Sequence, residues 1–157
     1  MNRTRFGRLL RRHAFTLVEV LIVVVILAIL AGTVIPQFTA SSDDAKDSAV
    51  LYNLHTLRAQ IELYKVQHDG TPPTLTSGSL PQLLSATDAA GATGQPGPTY
   101  PFGPYIVGDI PPNPVTGVNT ITTLATIPPS AESGTDGWLY HEPSGQVYID
   151  KTGYLTY

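Results

Sequence analysis

The hydrophobic pattern changes character twice along the chain. Residues 20–31 (VLIVVVILAILA) are apolar without exception, and widening the window to residues 15–35 adds only Thr16, Glu19, Gly32 and Thr33 as interruptions. About 20 apolar residues suffice to cross a bilayer as a helix, so residues 15–36 are predicted to span a membrane. Beyond Pro36 the continuous run gives way to a periodic one. Val50, Leu54, Leu57, Ile61 and Tyr64 recur at spacings of 4, 3, 4 and 3, which is one stripe of an amphipathic helix. Asn53, Arg58, Gln60, Glu62 and Lys65 occupy other faces, and Gly70 is expected at the C′ position that ends the helix. A single helix over residues 15–69 would extend roughly 80 Å at 1.5 Å per residue. Pro36 is expected to bend it or melt a turn, because proline lacks the N–H and its ring clashes with the preceding turn.

Residues 70–157 lose the helical period. They hold 12 of the 14 glycines and 13 of the 14 prolines, a content that predicts loops. Residues 80–86 (LPQLLSA) read as a short helix. Residues 138–142, 146–150 and 154–157 read as strands, with Pro143-Ser144-Gly145 and Lys151-Thr152-Gly153 as the turns between them. The predicted product is a small antiparallel sheet laid over the helix stripe, with Trp138, Tyr140, Val147 and Ile149 on its buried side. The fold class is therefore α+β with a lollipop outline: a basic leader over residues 1–14, a membrane helix over 15–36, its amphipathic continuation over 37–69, and a small loop-rich domain over 70–157.

Charge gives the span a direction. Five of the nine Lys and Arg residues (Arg3, Arg5, Arg8, Arg11 and Arg12) precede residue 15, where there is no Asp or Glu. By the positive-inside rule residues 1–14 stay cytoplasmic and the remainder crosses, giving a single pass. The other cations, Lys46, Arg58, Lys65 and Lys151, are scattered among twelve acids, so no nucleic-acid footprint is present. An ordinary secretory signal fits poorly, since its apolar run is shorter and ends in an A-x-A-like site, whereas residues 28–32 read AILAG. The absence of cysteine excludes disulfides, thiol nucleophiles and thiolate-bound zinc.

Glu19 is the costly residue of the span, because a carboxylate inside an apolar segment normally has a specific partner. If the chain began at Phe15, a free α-amino group would lie near the same depth, and neighbouring staggered helices could pair the two charges. Arg11-Arg12-His13-Ala14-Phe15-Thr16-Leu17-Val18-Glu19, the apolar run and Pro36 resemble the leader and first helix of type IV pilins and type II secretion pseudopilins. The stretch from Tyr64-Lys65 to Gly70-Thr71-Pro72 is similar to the helix-to-loop junction of the major pseudopilin.

That resemblance implies cleavage by a prepilin peptidase between Ala14 and Phe15, with Ala14 standing where glycine is usual. It implies N-methylation of Phe15, pairing of Glu19 with a neighbour's amine, and a helix-bending role for Pro36. It further implies a non-enzymatic subunit of a periplasmic pseudopilus, anchored in the bacterial inner membrane before assembly. The implied partners are further copies of itself, minor pseudopilins and the inner-membrane assembly platform, and the implied work is driving protein export. A type IV pilin for adhesion, motility or DNA uptake is the alternative within the family. An anchored binding module that never polymerises, using residues 100–105 or the last hairpin, is the alternative of another class.

Little else invites chemistry. His13 lies in the leader, His55 and His68 are thirteen residues apart on a mostly polar helix face rather than at the i, i+4 spacing of a helical zinc pair, and His141 and Glu142 are expected on opposite strand faces. No nucleophile, base and orienter can be named together. The resemblance implies one candidate cofactor, calcium, for which Ser133, Asp136 and Asp150 offer hard oxygen ligands, although the family's dense acidic loop is missing. Asp43, Asp44 and Asp47 form an acidic patch that reads as a solvated helix face or as a contact to Lys46, Arg58 or Lys65 of a neighbouring subunit.

Overall fold

The computed structural model describes residues 15–132 and 137–157. Ala14, Ser133 and Asp136 therefore lie outside the described residues. The chain divides into two units, with the boundary between Ser42 and Asp43.

The first unit contains the N-terminal part of helix α1 (Leu17–Gln67). Its side chains from Leu17 to Val34 are exposed on every face, and the segment is long and apolar enough to cross a membrane. Thr33 would be a liability in that setting, but its hydroxyl donates to the carbonyl of Leu30 at 3.0 Å, one turn back. The helix is continuous through Pro36, so the expected melted turn is not present; the residues on either side keep helical backbone.

The second unit is built around the C-terminal part of α1. The stripe Val50, Leu54, Leu57, Ile61 and Tyr64 is buried throughout, with no member more than 2% exposed. It carries the short helix α2 (Pro81–Leu84), a two-stranded antiparallel ribbon of β1 (Ala86–Thr87) and β2 (Thr93–Gly94), and a three-stranded sheet of β3 (Ile121–Thr123), β4 (Trp138–His141) and β5 (Gln146–Ile149). Leu80, Leu83, Ile110, Ile121, Trp138, Tyr140, Val147 and Ile149 complete one core with the helix stripe. The predicted helix over 80–86 is shorter than expected because Pro81 supplies its first position and Ala86–Thr87 turns into β1.

The C-terminal sheet departs from expectation in one strand. The β4–β5 hairpin pairs antiparallel with Trp138 opposite Ile149 and Tyr140 opposite Val147, as the alternation predicts. The third strand is β3, running parallel to β4, and not residues 154–157. Tyr154 and Tyr157 instead donate main-chain bonds three residues back, to Lys151 and Tyr154, so the segment turns rather than pairs. Arg58 fixes that return: its Nε and Nη2 donate to the Val147 carbonyl at 3.0 and 2.7 Å, and Nη2 also donates to the Tyr157 carbonyl at 2.5 Å.

Two glycines mark where backbone meets its neighbours closely. A Cβ on Gly137 would overlap the Val118 carbonyl oxygen, and one on Gly145, at φ +74°, would press on Pro72 and Ile61. The end of α1 differs in detail from expectation. Asp69 takes the left-handed C′ position (φ 52°), Gly70 follows at φ 80°, and the Gly70 N–H donates to the Lys65 carbonyl at 2.8 Å, the six-to-one bond of a Schellman cap. His68, predicted on a polar face, is buried instead. It stacks on Tyr64 at 3.8 Å, while its ring nitrogens meet the carbonyls of Tyr64 and Asp88 and the hydroxyl of Thr87.

Candidate assembly site

The start of α1 is organised by two residues. Thr16 precedes the first helical residue, and its Oγ1 accepts the Glu19 N–H at 3.2 Å. Glu19 Oε2 reaches back to accept the Thr16 N–H at 3.5 Å. This reciprocal pair is a capping box, in which side chains satisfy backbone donors that a helix start leaves without intrahelical partners. The carboxylate also sits at the positive end of the helix dipole. The pattern Thr16-Leu17-Val18-Glu19 ahead of an apolar run carries that signal in the sequence, beside the charge pairing expected of Glu19.

The box changes what Glu19 can do. A single helix places its carboxylate against the N–H of residue 16, one residue along the chain from the Phe15 nitrogen. Glu19 is exposed, and a carboxylate has about four acceptor sites, so one bond to Thr16 leaves capacity for an ammonium. Phe15 is 79% exposed, so nothing in the described chain covers the residue expected to become the new N-terminus.

Within the second unit, the described candidate residues do not gather into one site. Asp150 is fully buried just after β5, and among the described residues no three His, Cys, Asp or Glu side chains gather as a metal cage. His141 Nδ1 bonds Ser144 Oγ at 2.8 Å within the β4–β5 turn, and Glu142 accepts the Leu75 N–H. Those bonds fasten turns and assemble no reacting centre.

In the acidic patch Asp43 pairs with Lys46 at 3.8 Å, and Asp47 accepts the Tyr154 hydroxyl. That bond, then burial, then the Asp47 charge push the Tyr154 phenol up to about 12. The other two cations considered for a neighbour's acids are also engaged within the chain: Lys65 binds Glu62 at 2.7 Å, and Arg58 holds the Val147 and Tyr157 carbonyls. Arg58 also lies 5.6 Å from the centre of the Tyr148 ring.

Residues 9–35 match the prokaryotic N-terminal methylation motif. The match contains Ala14, Phe15, Thr16 and Glu19, and therefore both the expected cleavage point and the capping box. The chain is 32% identical over 96 residues to the type II secretion system core protein G of Klebsiella pneumoniae, covering 61% of this chain and 64% of that protein. It is 36% identical over 64 residues to the protein of the same name in Pseudomonas aeruginosa, covering 41% and 45%. It is also 34% identical over 61 residues to the competence protein ComGC of Halalkalibacterium halodurans, covering 39% and 60%. The chain thus spans less than two thirds of each of these relatives. No solved structure matches it.

Proposed function

We propose that this chain is a pseudopilin: a structural, non-enzymatic subunit of a type II secretion pseudopilus. The precursor is held in the bacterial inner membrane by the helix segment Leu17–Val34, the one stretch among the described residues long and apolar enough to cross a bilayer. Residues 1–14 face the cytoplasm and the unit from Asp43 onward faces the periplasm. Prepilin peptidase cuts between Ala14 and Phe15, and Phe15 is N-methylated. Copies then polymerise through their apolar helices, with Glu19 accepting a neighbour's N-terminal ammonium. Minor pseudopilins and the inner-membrane assembly platform are the other partners, and filament growth drives protein export.

The observation that carries this reading is the methylation motif over residues 9–35, which takes in the helix segment Leu17–Val34, exposed on all faces, and a first turn that presents an accessible carboxylate. A span with no cover from its own chain finds its packing in lipid or in other helices. The test is filament recovery by shearing cells that supply the secretion machinery. Glu19→Ala is expected to abolish filaments while leaving the folded periplasmic unit intact, and undiminished filaments would reject the assembly role.

A type IV pilin for adhesion, motility or DNA uptake is not the favoured reading, since the matches are mainly to proteins named type II secretion system core protein G; loss of transformation rather than of secretion on deleting the chain would reverse that choice. Calcium at Ser133, Asp136 and Asp150 remains a proposal supported by the buried carboxyl group of Asp150 and the hard-oxygen chemistry of the set. A Tm raised by calcium chloride in the wild type and not in Asp150→Asn is its expected result; a Tm unmoved by calcium would reject it.

A further inference from the structure

The part of α1 from Asp43 onward carries a second stripe that the fold leaves exposed at every position but Thr56, which is half-buried. Ala49, Tyr52, Thr56, Ala59, Leu63 and Val66 recur at 3, 4, 3, 4 and 3, and Ala45 continues the spacing one turn earlier. The stripe is displaced by two residues, about 200°, from the buried one, so it lies on the opposite side of the helix. Tyr52 is 71% exposed, Leu63 46% and Val66 80%; Ala45, Ala49 and Ala59 are exposed as well. It contains no charge, and the Thr56 hydroxyl is satisfied within the helix, its Oγ1 donating to the Tyr52 carbonyl at 2.9 Å. The outward face of a surface helix is ordinarily its charged face. An apolar 3-4 repeat flanked by polar residues is instead the seam of a coiled coil, with small residues providing holes and larger ones knobs.

We infer that this stripe docks against the same stripe of a second copy, side by side and in parallel register, in the membrane-anchored subunit before polymerisation. The inference rests on the anchored reading proposed above. Because the span Leu17–Val34 precedes the seam in every copy, all copies leave one membrane with the same chain polarity. Parallel pairing is then the arrangement available to two neighbours, and confinement to a bilayer raises their effective concentration.

Charge agrees with that register. In a parallel pair the flanking positions bring Ser48 against the second copy's Asn53, His55 against its Gln60, and Glu62 against its Gln67, so no two carboxylates and no two lysine or arginine side chains oppose each other. In the fold the Gln67 Oε1 accepts the Tyr105 hydroxyl and the Asn53 Nδ2 donates to the Pro112 carbonyl, which keeps these flanks polar and in place.

The chain has no cysteine, so single substitutions give one thiol per subunit. The experiment is oxidative crosslinking of two full-length variants in a bacterial membrane without an assembly platform: Ala59→Cys, on the seam, and Val107→Cys, at a 93% exposed loop position. The expected result is a reducible product of twice the chain's mass from Ala59→Cys, severalfold above that from Val107→Cys. Adding Leu63→Asp to Ala59→Cys is expected to remove the product with Tm unchanged, since both positions are exposed. Equal crosslinking of the two variants, a product of any other mass from the seam thiol, or survival of the product with Leu63→Asp would overturn the inference.

N-terminal mapping of the same preparation, with prepilin peptidase supplied, separates the two readings. Phe15 as first residue without a crosslinked seam product rejects the seam and leaves the pseudopilin reading standing. A seam product from chains that keep residues 1–14 rejects that reading and supports the seam.

Discussion

Tyr140 offers the sharpest test of how the unit from Asp43 onward is held together. Its ring is fully buried between the helix stripe and the sheet, and its hydroxyl donates to the Pro73 carbonyl at 2.6 Å. Tyr140→Phe keeps the ring and removes the donor, leaving a buried carbonyl without its partner, which costs about 1–3 kcal/mol. The same residue sets an alkaline limit. Burial foremost, then the charges of Glu142 and Tyr64, raise its pKa above the ordinary tyrosine value, and Tyr64 and Tyr105 are raised in the same direction, chiefly by burial.

The sign follows from linkage. The unfolded chain releases these protons near pH 10 while the folded chain holds them, so the stability is fully present below about pH 10 and is lost as pH climbs from there toward the folded values. Each retained proton steepens the loss by about 1.4 kcal/mol per pH unit over that window. Trp138, the single tryptophan and fully buried, reports unfolding in urea for the full chain in detergent. The wild type is expected to be more stable than Tyr140→Phe at pH 7 and to lose that lead above pH 10, its slope being the steeper by up to one proton. Parallel slopes for the two proteins across that range would refute the assignment of Tyr140 as a proton held by burial.

Three further substitutions probe other links. Leu57→Ala, at a fully buried position of the helix stripe, is expected to cost about 2–5 kcal/mol in the same urea assay, through lost burial and the cavity left behind. Gly137→Ala, which drives a methyl group into the Val118 carbonyl oxygen, is expected to cost about 1–3 kcal/mol as strand β4 shifts, and an unchanged midpoint would show that this approach is not tight. Thr16→Val removes the acceptor of the Glu19 N–H at a cost of about 1 kcal/mol; hydrogen exchange in micelles is expected to show the first turn of α1 opening several times more readily, with the unit from Asp43 onward unaffected.

Much of this architecture was legible because period alone encodes burial. The 4-3-4-3 stripe from Val50 to Tyr64 is the buried face of α1, and the alternation of Trp138, Tyr140, Val147 and Ile149 picks out the inward side of the hairpin. What escaped was set by contacts distant in sequence or by competition within a short segment. Residues 121–123 are too short among prolines and glycines to announce a strand, and their parallel partner lies seventeen residues on. Residues 154–157 have strand-like composition, but the Arg58 guanidinium and the Asp47 carboxylate draw them back toward α1. His68 fell off the expected polar face because the loop carrying Thr87 and Asp88 closes over the helix end. At the candidate site, the motif and the need to neutralise Glu19 could be read directly, and the Thr16-Leu17-Val18-Glu19 spacing also encodes the capping box that the backbone forms.

The central claim is that residues 1–14 are a leader and that the working subunit begins at Phe15. Intact mass and N-terminal sequencing of the membrane-fraction protein, with and without co-expressed prepilin peptidase, address it most directly. The account predicts a peptidase-dependent start at N-methylated Phe15; a chain that begins at Met1 in both samples, or one cut after Ala31, would contradict it.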